Sequence, residues 1–138
     1  MQHSDFLTRF VTELRLALPA QYQDFATRPM GGLVKLYYGD NYHVHYELAL
    51  RSTGFVEIGL HFEDEKDRND ELLRRFSDDA LEVISRLGPQ VEIEQWTKTW
   101  GRVHQTLSFK TTDERLLSLA VERMAAMIVV LQPMLEDA

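Results

Sequence analysis

Two histidines and a glutamate occupy alternate positions of one strand-like segment, NYHVHYELAL at residues 41–50. Side chains at every second position of a strand point to the same face, so His43, His45 and Glu47 would lie side by side. Imidazole nitrogens and carboxylate oxygens are ligands that zinc and similar divalent ions accept. The solvent-facing side of an ordinary antiparallel strand gives the same alternation. The elements around this segment therefore decide between a metal site and a polar surface.

The segment is predicted to form a hairpin with the residues that follow it. Strands are predicted over 42–51 and 55–63, because apolar residues alternate in both. The link STG at 52–54 is typical of a three-residue hairpin loop in which Gly54 adopts the left-handed conformation. The register set by this loop keeps the alternating apolar residues of both strands on one face, as a hairpin with one buried side requires.

The same register brings the histidines of the two strands together on the other face. His45 would lie opposite His61, and directly paired residues have Cβ atoms about 4.5–5.5 Å apart. Gly59, opposite Glu47, is expected to leave open space beside them. A metal-binding or small-ligand-binding protein would use this face through His43, His45, His61, Glu47 and Glu63.

The favoured interpretation of this face is a solvent-exposed strand surface. Histidine and glutamate on neighbouring strands form ordinary hydrogen-bonded pairs without any ion. The chain also lacks an established zinc spacing such as His-Glu-x-x-His. Metal binding is therefore kept as the alternative.

The whole chain is predicted to fold as one α+β domain over residues 1–138. Helices are predicted at about 5–18, 66–87 and 112–131, and strands at 33–39, 42–51, 55–63, 90–97 and 100–110, with an irregular link before residue 33. The resulting order is α-βββ-α-ββ-α. Because the strands alternate with only one dry side, we expect an antiparallel sheet with the helices on one face.

Composition excludes several classes of function. The chain has 22 acidic and 15 basic residues, a net charge of −7, and no segregated basic patch, so nucleic-acid binding is not expected. No cysteine is present, which excludes thiolate metal sites and thiol catalysis. The longest apolar run, AAMIVVL at 125–131, is too short to cross a membrane, and a cytoplasmic bacterial protein is predicted. No nucleophile or phosphate-binding motif is present, so neither catalysis nor a cofactor is predicted.

Two surfaces are candidates for contact with another protein. The C-terminal helix is apolar nearly all round, so beyond its core-facing side it is expected to meet a partner through Met124, Met127, Ile128 and Leu131. Trp96 and Trp100 flank the turn TKT and would form an amphipathic patch if they share a face with Arg102 and His104. The alternative for each surface is burial in the core.

The order α-βββ-α-ββ-α resembles the type III secretion chaperone-like fold over the whole chain. That resemblance implies homodimerisation and binding of extended segments of partner proteins, without catalysis. Those chaperones often dimerise through the central helix, whereas here the most apolar surface is the C-terminal helix, LAVERMAAMIVVLQPML. VEIGLHFEDEKDRNDELLRRF, followed by VEIEQW and GRVHQTLSF, is similar to uncharacterised domains found beside restriction-type nucleases, which implies no catalytic residue.

The sequence thus favours a non-enzymatic binding or assembly module that forms a homodimer or binds another protein.

Overall fold

The computed structural model describes residues 1–138 and contains four α-helices and six β-strands. The helices are α1 (His3–Ala17), α2 (Lys66–Asp78), α3 (Ala80–Leu87) and α4 (Glu114–Glu136), and a 3-10 turn spans Ala20–Tyr22. The strands are β1 (Ala26–Met30), β2 (Leu33–Tyr37), β3 (Val44–Arg51), β4 (Phe55–Phe62), β5 (Glu92–Gln95) and β6 (Gly101–Ser108). They form one antiparallel sheet in the order β1-β2-β3-β4-β6-β5. The predicted α+β class and its order of elements are confirmed.

The structure differs from the predicted elements in two places. The segment before residue 33, predicted as an irregular link, contains the edge strand β1, which turns into β2 at Gly31 with a φ of 59°. An edge strand tolerates Pro29 because its missing N–H is not needed by a second neighbour. The predicted helix at 66–87 is divided into α2 and α3 at Asp79, whose φ of −102° and ψ of 19° leave the helical region.

The predicted hairpin of β3 and β4 forms in the predicted register. His45 pairs with His61, Glu47 with Gly59, and Arg51 with Phe55. The loop is closed by Gly54, whose φ of 86° lies in the left-handed region that disfavours other residues.

The hydrophobic core lies between the helices and one face of the sheet. Apolar residues of β2, β3, β4 and β6 that share this face by register are buried against α1, α2, α3 and α4. On the sheet side these residues are Val34, Leu36, Tyr46, Leu48, Leu50, Val56, Ile58, Leu60, Phe62 and Val103. We call the opposite side of the sheet, which carries His45, Glu57, His61 and His104, the polar face.

The apolar side of α4 belongs to this core. Met124, Met127, Ile128 and Leu131 are fully buried within the chain, so the prediction that they form a contact surface is wrong. They are buried because α4 packs on α1 and β4 and uses its apolar stripe there. By length and composition α4 could also cross a membrane, but a mostly buried core helix of a soluble protein has the same properties.

Candidate metal centre

The polar face is closed to water at its centre, contrary to the predicted solvent-exposed strand surface. His45, Glu47 and His61 expose only 1%, 4% and 0% of their surface. The helices pack on the other side of the sheet, so side chains of the polar face itself provide the cover. The Trp96 ring stands edge-on to the His61 ring with centroids 5.7 Å apart, and the Arg102 guanidinium lies 4.5 Å from the Trp96 ring centroid.

Four side chains direct one ligand atom each into the same small volume. The residues are His45, Glu47, His61 and Glu63, and their ligand atoms lie within 4.8 Å of one another. The closest contacts join His45 Nε2 to Glu47 Oε1 and His61 Nδ1 to Glu63 Oε2. We call these residues the four-ligand cluster. β3 supplies one imidazole and one carboxylate, and β4 with the residue that follows it supplies the other pair. The two imidazole rings stack with centroids 5.5 Å apart, as expected for directly paired residues.

The separations between these atoms suit a tetrahedral ion. His45 Nε2 lies 3.1 Å from the Glu47 oxygen and 3.9 Å from the Glu63 oxygen. His61 Nδ1 lies 3.0 Å from the Glu63 oxygen and 4.0 Å from the Glu47 oxygen. Tetrahedral zinc with bonds of 2.0–2.2 Å separates its ligands by about 3.4 Å. The observed values lie on both sides of that distance.

The second nitrogen of each imidazole has a partner of its own. His45 Nδ1 lies 2.9 Å from the Tyr42 carbonyl oxygen, which only accepts, so this nitrogen carries a proton and donates. His61 Nε2 lies 2.8 Å from Glu57 Oε1 and donates to that carboxylate. Both arrangements are those that orient histidine ligands around protein-bound metals. They leave His45 Nε2 and His61 Nδ1 to face the centre of the cluster.

Opposite charges set the protonation of the metal-free cluster. Burial of the His61 imidazole opposes its charged form, but hydrogen bonds to Glu57 and Glu63 outweigh burial and raise its pKa to about 9. Burial acts to raise the pKa values of Glu47 and Glu63, yet the histidines beside them hold both pKa values below their ordinary range. His61 is therefore an imidazolium near neutral pH.

Basic side chains at the margin offset the remaining negative charge. Lys35 Nζ lies 3.5 Å from Glu63 Oε1, Arg51 lies 4.0 Å from Glu47 Oε2, and Arg102 lies 3.5 Å from Glu57 Oε1. A divalent cation would neutralise the carboxylates of Glu47 and Glu63 directly. A proton on the histidines or a bound metal ion can therefore balance the charge of the same carboxylates.

The structure brings together four of the five residues named for the metal alternative. His43 is the exception: its side chain is exposed and its ring lies beside Tyr42, with centroids 4.3 Å apart. It precedes β3, where the chain turns and Asn41 accepts from the His43 backbone N–H. His43 is therefore not a ligand of the cluster, because the strand alternation on which its placement relied begins only at Val44.

Glu57 and the two tryptophans have roles that sequence reasoning did not give them. Glu57 lies on the same face of β4 as His61, four residues before it, and this spacing is the signal in the sequence for its contact with His61. Trp96 packs on His61 and is partly buried, while Trp100 lies beside it, with ring centroids 5.8 Å apart, and is 36% exposed. Trp96 therefore serves as a cover for the cluster. A contact of this pair with a partner stays a prediction.

The chain matches no protein-family model, no curated protein and no solved structure.

Proposed function

We propose that this protein binds one divalent transition-metal ion of the zinc type in the four-ligand cluster. The observation that carries the proposal is the convergence of two imidazole nitrogens and two carboxylate oxygens whose other partners already fix their orientation. An ordinary polar strand face needs hydrogen bonds, but it does not need two neighbouring histidines that each turn one ring nitrogen to a common centre and give the other to a separate partner. That arrangement is the one metal ligation requires.

The ligand types favour zinc over calcium or magnesium. Calcium and magnesium take oxygen ligands, usually six or more, whereas half of this cluster is imidazole nitrogen. Copper and nickel also accept imidazole, but they prefer square-planar or tetragonal arrangements. With two neutral histidines and two carboxylates, a doubly charged ion leaves no net charge in the buried centre. This balance limits the cost of burying the ion.

The number and burial of the ligands favour a structural ion over a catalytic one. Structural zinc sites use four protein ligands, whereas catalytic sites keep a position open for water or substrate. Here four protein atoms surround the centre, and three of the four residues are buried. Glu63 is the most accessible member and would form the route by which an ion enters. The ion would clamp β3 to β4 in the middle of the sheet.

A homodimer and binding of another protein stay predictions beside this proposal. The α4 residues expected to carry them are buried, as described above. The exposed side of α4 carries charged residues such as Glu122 together with small or modest apolar side chains, among them Ala126 and Val129. The metal site has stronger support than a dimer, because a separate contact positions each of its four residues.

Zinc titration of chelator-treated protein tests the proposal. At free Zn²⁺ about 100 times the dissociation constant, the ion would stabilise the folded state by about 2.7 kcal/mol. With an unfolding entropy of about 2.1 cal/mol/K per residue, this corresponds to a rise in Tm of about 9 °C for a chain of this length. Isothermal titration calorimetry on the same sample gives the stoichiometry, and elemental analysis of freshly purified protein shows whether an ion is acquired in the cell.

His43→Ala is the matched control for His45→Ala. The two histidines are two residues apart, but only His45 belongs to the cluster. His43→Ala should keep the rise in Tm, whereas His45→Ala should lose most of it. Equal shifts in the two variants, or loss of the shift in His43→Ala alone, would contradict the proposed site.

A further inference from the structure

A second group of ligand atoms lies on the same face, toward the edge of the sheet. Glu92 and Glu94 of β5 and His104 of β6 each offer one ligand atom within 4.8 Å of the other two. His104 pairs directly with Glu92 in the sheet, and Glu94 pairs with Arg102. We call Glu92, Glu94 and His104 the outer cluster.

His104 is buried, and its one close polar contact, with Glu94, is poorly aligned for a hydrogen bond. It exposes only 7% of its surface, and both Nδ1 and Nε2 lack a partner with hydrogen-bond geometry. Nε2 nevertheless lies 2.8 Å from Glu94 Oε1 and 3.7 Å from Glu92 Oε2. Ligands of a tetrahedral zinc ion lie about 3.4 Å apart, so these two atoms would have to separate by about 0.6 Å to hold an ion between them. A buried polar group with no partner is otherwise unfavourable by about 1–3 kcal/mol.

Glu57 connects the outer cluster to the four-ligand cluster. Its Oε1 accepts from His61 Nε2 at 2.8 Å and lies 3.8 Å from His104 Nδ1. The carboxylate is therefore placed behind both imidazoles, on the side away from their metal-facing nitrogens. Gly59 makes this proximity possible, since a Cβ there would lie 2.7 Å from the Cβ of His104. The open space predicted at Gly59, beside Glu47, is absent because His104 fills it.

We infer that the outer cluster is a second divalent-cation site, held by His104 Nε2, Glu94 and Glu92 and open to solvent. Three protein ligands leave one coordination position free, and the Glu92 side chain is 67% exposed. Water or a small anion would complete the shell. Two carboxylates balance the charge of the ion.

Arg102 competes with an ion for this site. Its Nη2 lies 2.7 Å from Glu94 Oε1, the carboxylate oxygen closest to His104. An ion must displace this contact or share the carboxylate. The outer site should therefore bind more weakly than the four-ligand cluster and should exchange its ion with solvent. Replacing Arg102 by a neutral residue should strengthen it.

Calorimetric titration of the full chain with ZnCl₂ after chelator treatment tests the inference. The wild type should bind two Zn²⁺ per chain, the second at least about tenfold more weakly, because it has one protein ligand fewer and a cationic neighbour. Glu92→Gln and His104→Gln should weaken or remove the second event and leave the first. Arg102→Gln should tighten the second event by about tenfold. Glu122→Gln, an exposed change on α4, is the matched control and should alter neither.

The variants separate this inference from the proposed function. A single Zn²⁺, lost in His45→Ala and unaffected by Glu92→Gln and His104→Gln, would overturn the second site and leave the first. A single Zn²⁺ lost only in Glu92→Gln and His104→Gln would overturn the four-ligand site and support the second. If His104→Gln does not fold, as judged by circular dichroism, Glu92→Gln decides the question because its side chain lies at the surface. The absence of any Zn²⁺ binding would overturn both sites.

Discussion

Raising the pH should destabilise the metal-free protein through His61. Its pKa moves from 6.5 to about 9 in the folded chain, where hydrogen bonds to Glu57 and Glu63 outweigh the effect of burial. A difference of one pKa unit corresponds to 1.36 kcal/mol, so protonated His61 contributes about 3 kcal/mol to the free energy of unfolding. For a domain of this size that is a substantial fraction of the total stability.

The direction follows from which state holds the proton. The folded state keeps the His61 proton to higher pH than the unfolded state, so the contribution is complete below pH 6.5. It is lost as the pH rises through about 9. His104 acts in a different range, because its pKa is lowered by burial and by Arg102, and its contribution is present above pH 6.5 and lost in acid. The interval between pH 6.5 and 9 therefore reports on His61.

Urea unfolding in the presence of a chelator, at intervals from pH 6 to 9.5, measures this effect. The wild type should lose about 3 kcal/mol across the range, and His61→Gln should show a nearly flat profile. Bound zinc replaces the proton on Nδ1, so the loss should be absent or reversed in saturating Zn²⁺. Equal slopes for the wild type and His61→Gln without metal would refute this account of the cluster, as would an unchanged slope in zinc.

Three substitutions test the surroundings of the sites by chemical denaturation with a chelator present. Gly59→Ala brings a methyl group within 2.7 Å of the His104 Cβ and should cost about 1–3 kcal/mol, and a neutral result would show that β4 and β6 do not approach as closely as described. Asn69→Ala removes a buried amide that donates to the Asp64 and Thr99 carbonyls and accepts from the Asp64 backbone N–H just before α2. The change should cost about 2–4 kcal/mol of unfolding free energy. A loss below about 0.5 kcal/mol would contradict that hydrogen-bond network. Met127→Asp places a charge in the core and should prevent folding, whereas a folded variant that only changed its association state would restore α4 as a partner surface.

The hairpin at the centre of the site could be predicted because local chemistry sets it. Gly54 requires the left-handed conformation at the end of a three-residue loop, and that loop determines which residues of β3 and β4 face each other. The pairing of His45 with His61 follows without any knowledge of the remaining fold. The register thus predicted the convergence of four of the five residues named for the metal alternative, and the fifth, His43, lies just outside the strand.

The burial of the polar face could not be predicted in the same way. It depends on Trp96 and Arg102, which reach His61 and Glu57 from a different hairpin. The register between β4 and β6 is set by packing across a long connection that includes α2 and α3, and no turn sequence determines it. Alternation alone therefore identified the polar side chains but not the absence of water around them.

The buried side of α4 illustrates the opposite limitation. An apolar helix has the same sequence whether it meets a sheet of its own chain or a second molecule. In this chain α1 and β4 pack on α4 and bury the surface around Met127. Strand β1 could not be predicted because it contains Pro29. Proline is unfavourable in strands except at an edge, and the sequence does not show which strand lies at the edge.

Long-range ¹H–¹⁵N correlation of the five histidines, recorded before and after addition of zinc, tests the central claim most directly. Metal coordination through Nε2 of His45 and Nδ1 of His61 should shift those two ¹⁵N resonances to metal-bound positions at the first equivalent of Zn²⁺. Nδ1 of His45 and Nε2 of His61 should remain protonated, held by the Tyr42 carbonyl and by Glu57. Unchanged resonances of both rings, or shifts confined to His3 and His43, would contradict a metal centre between β3 and β4.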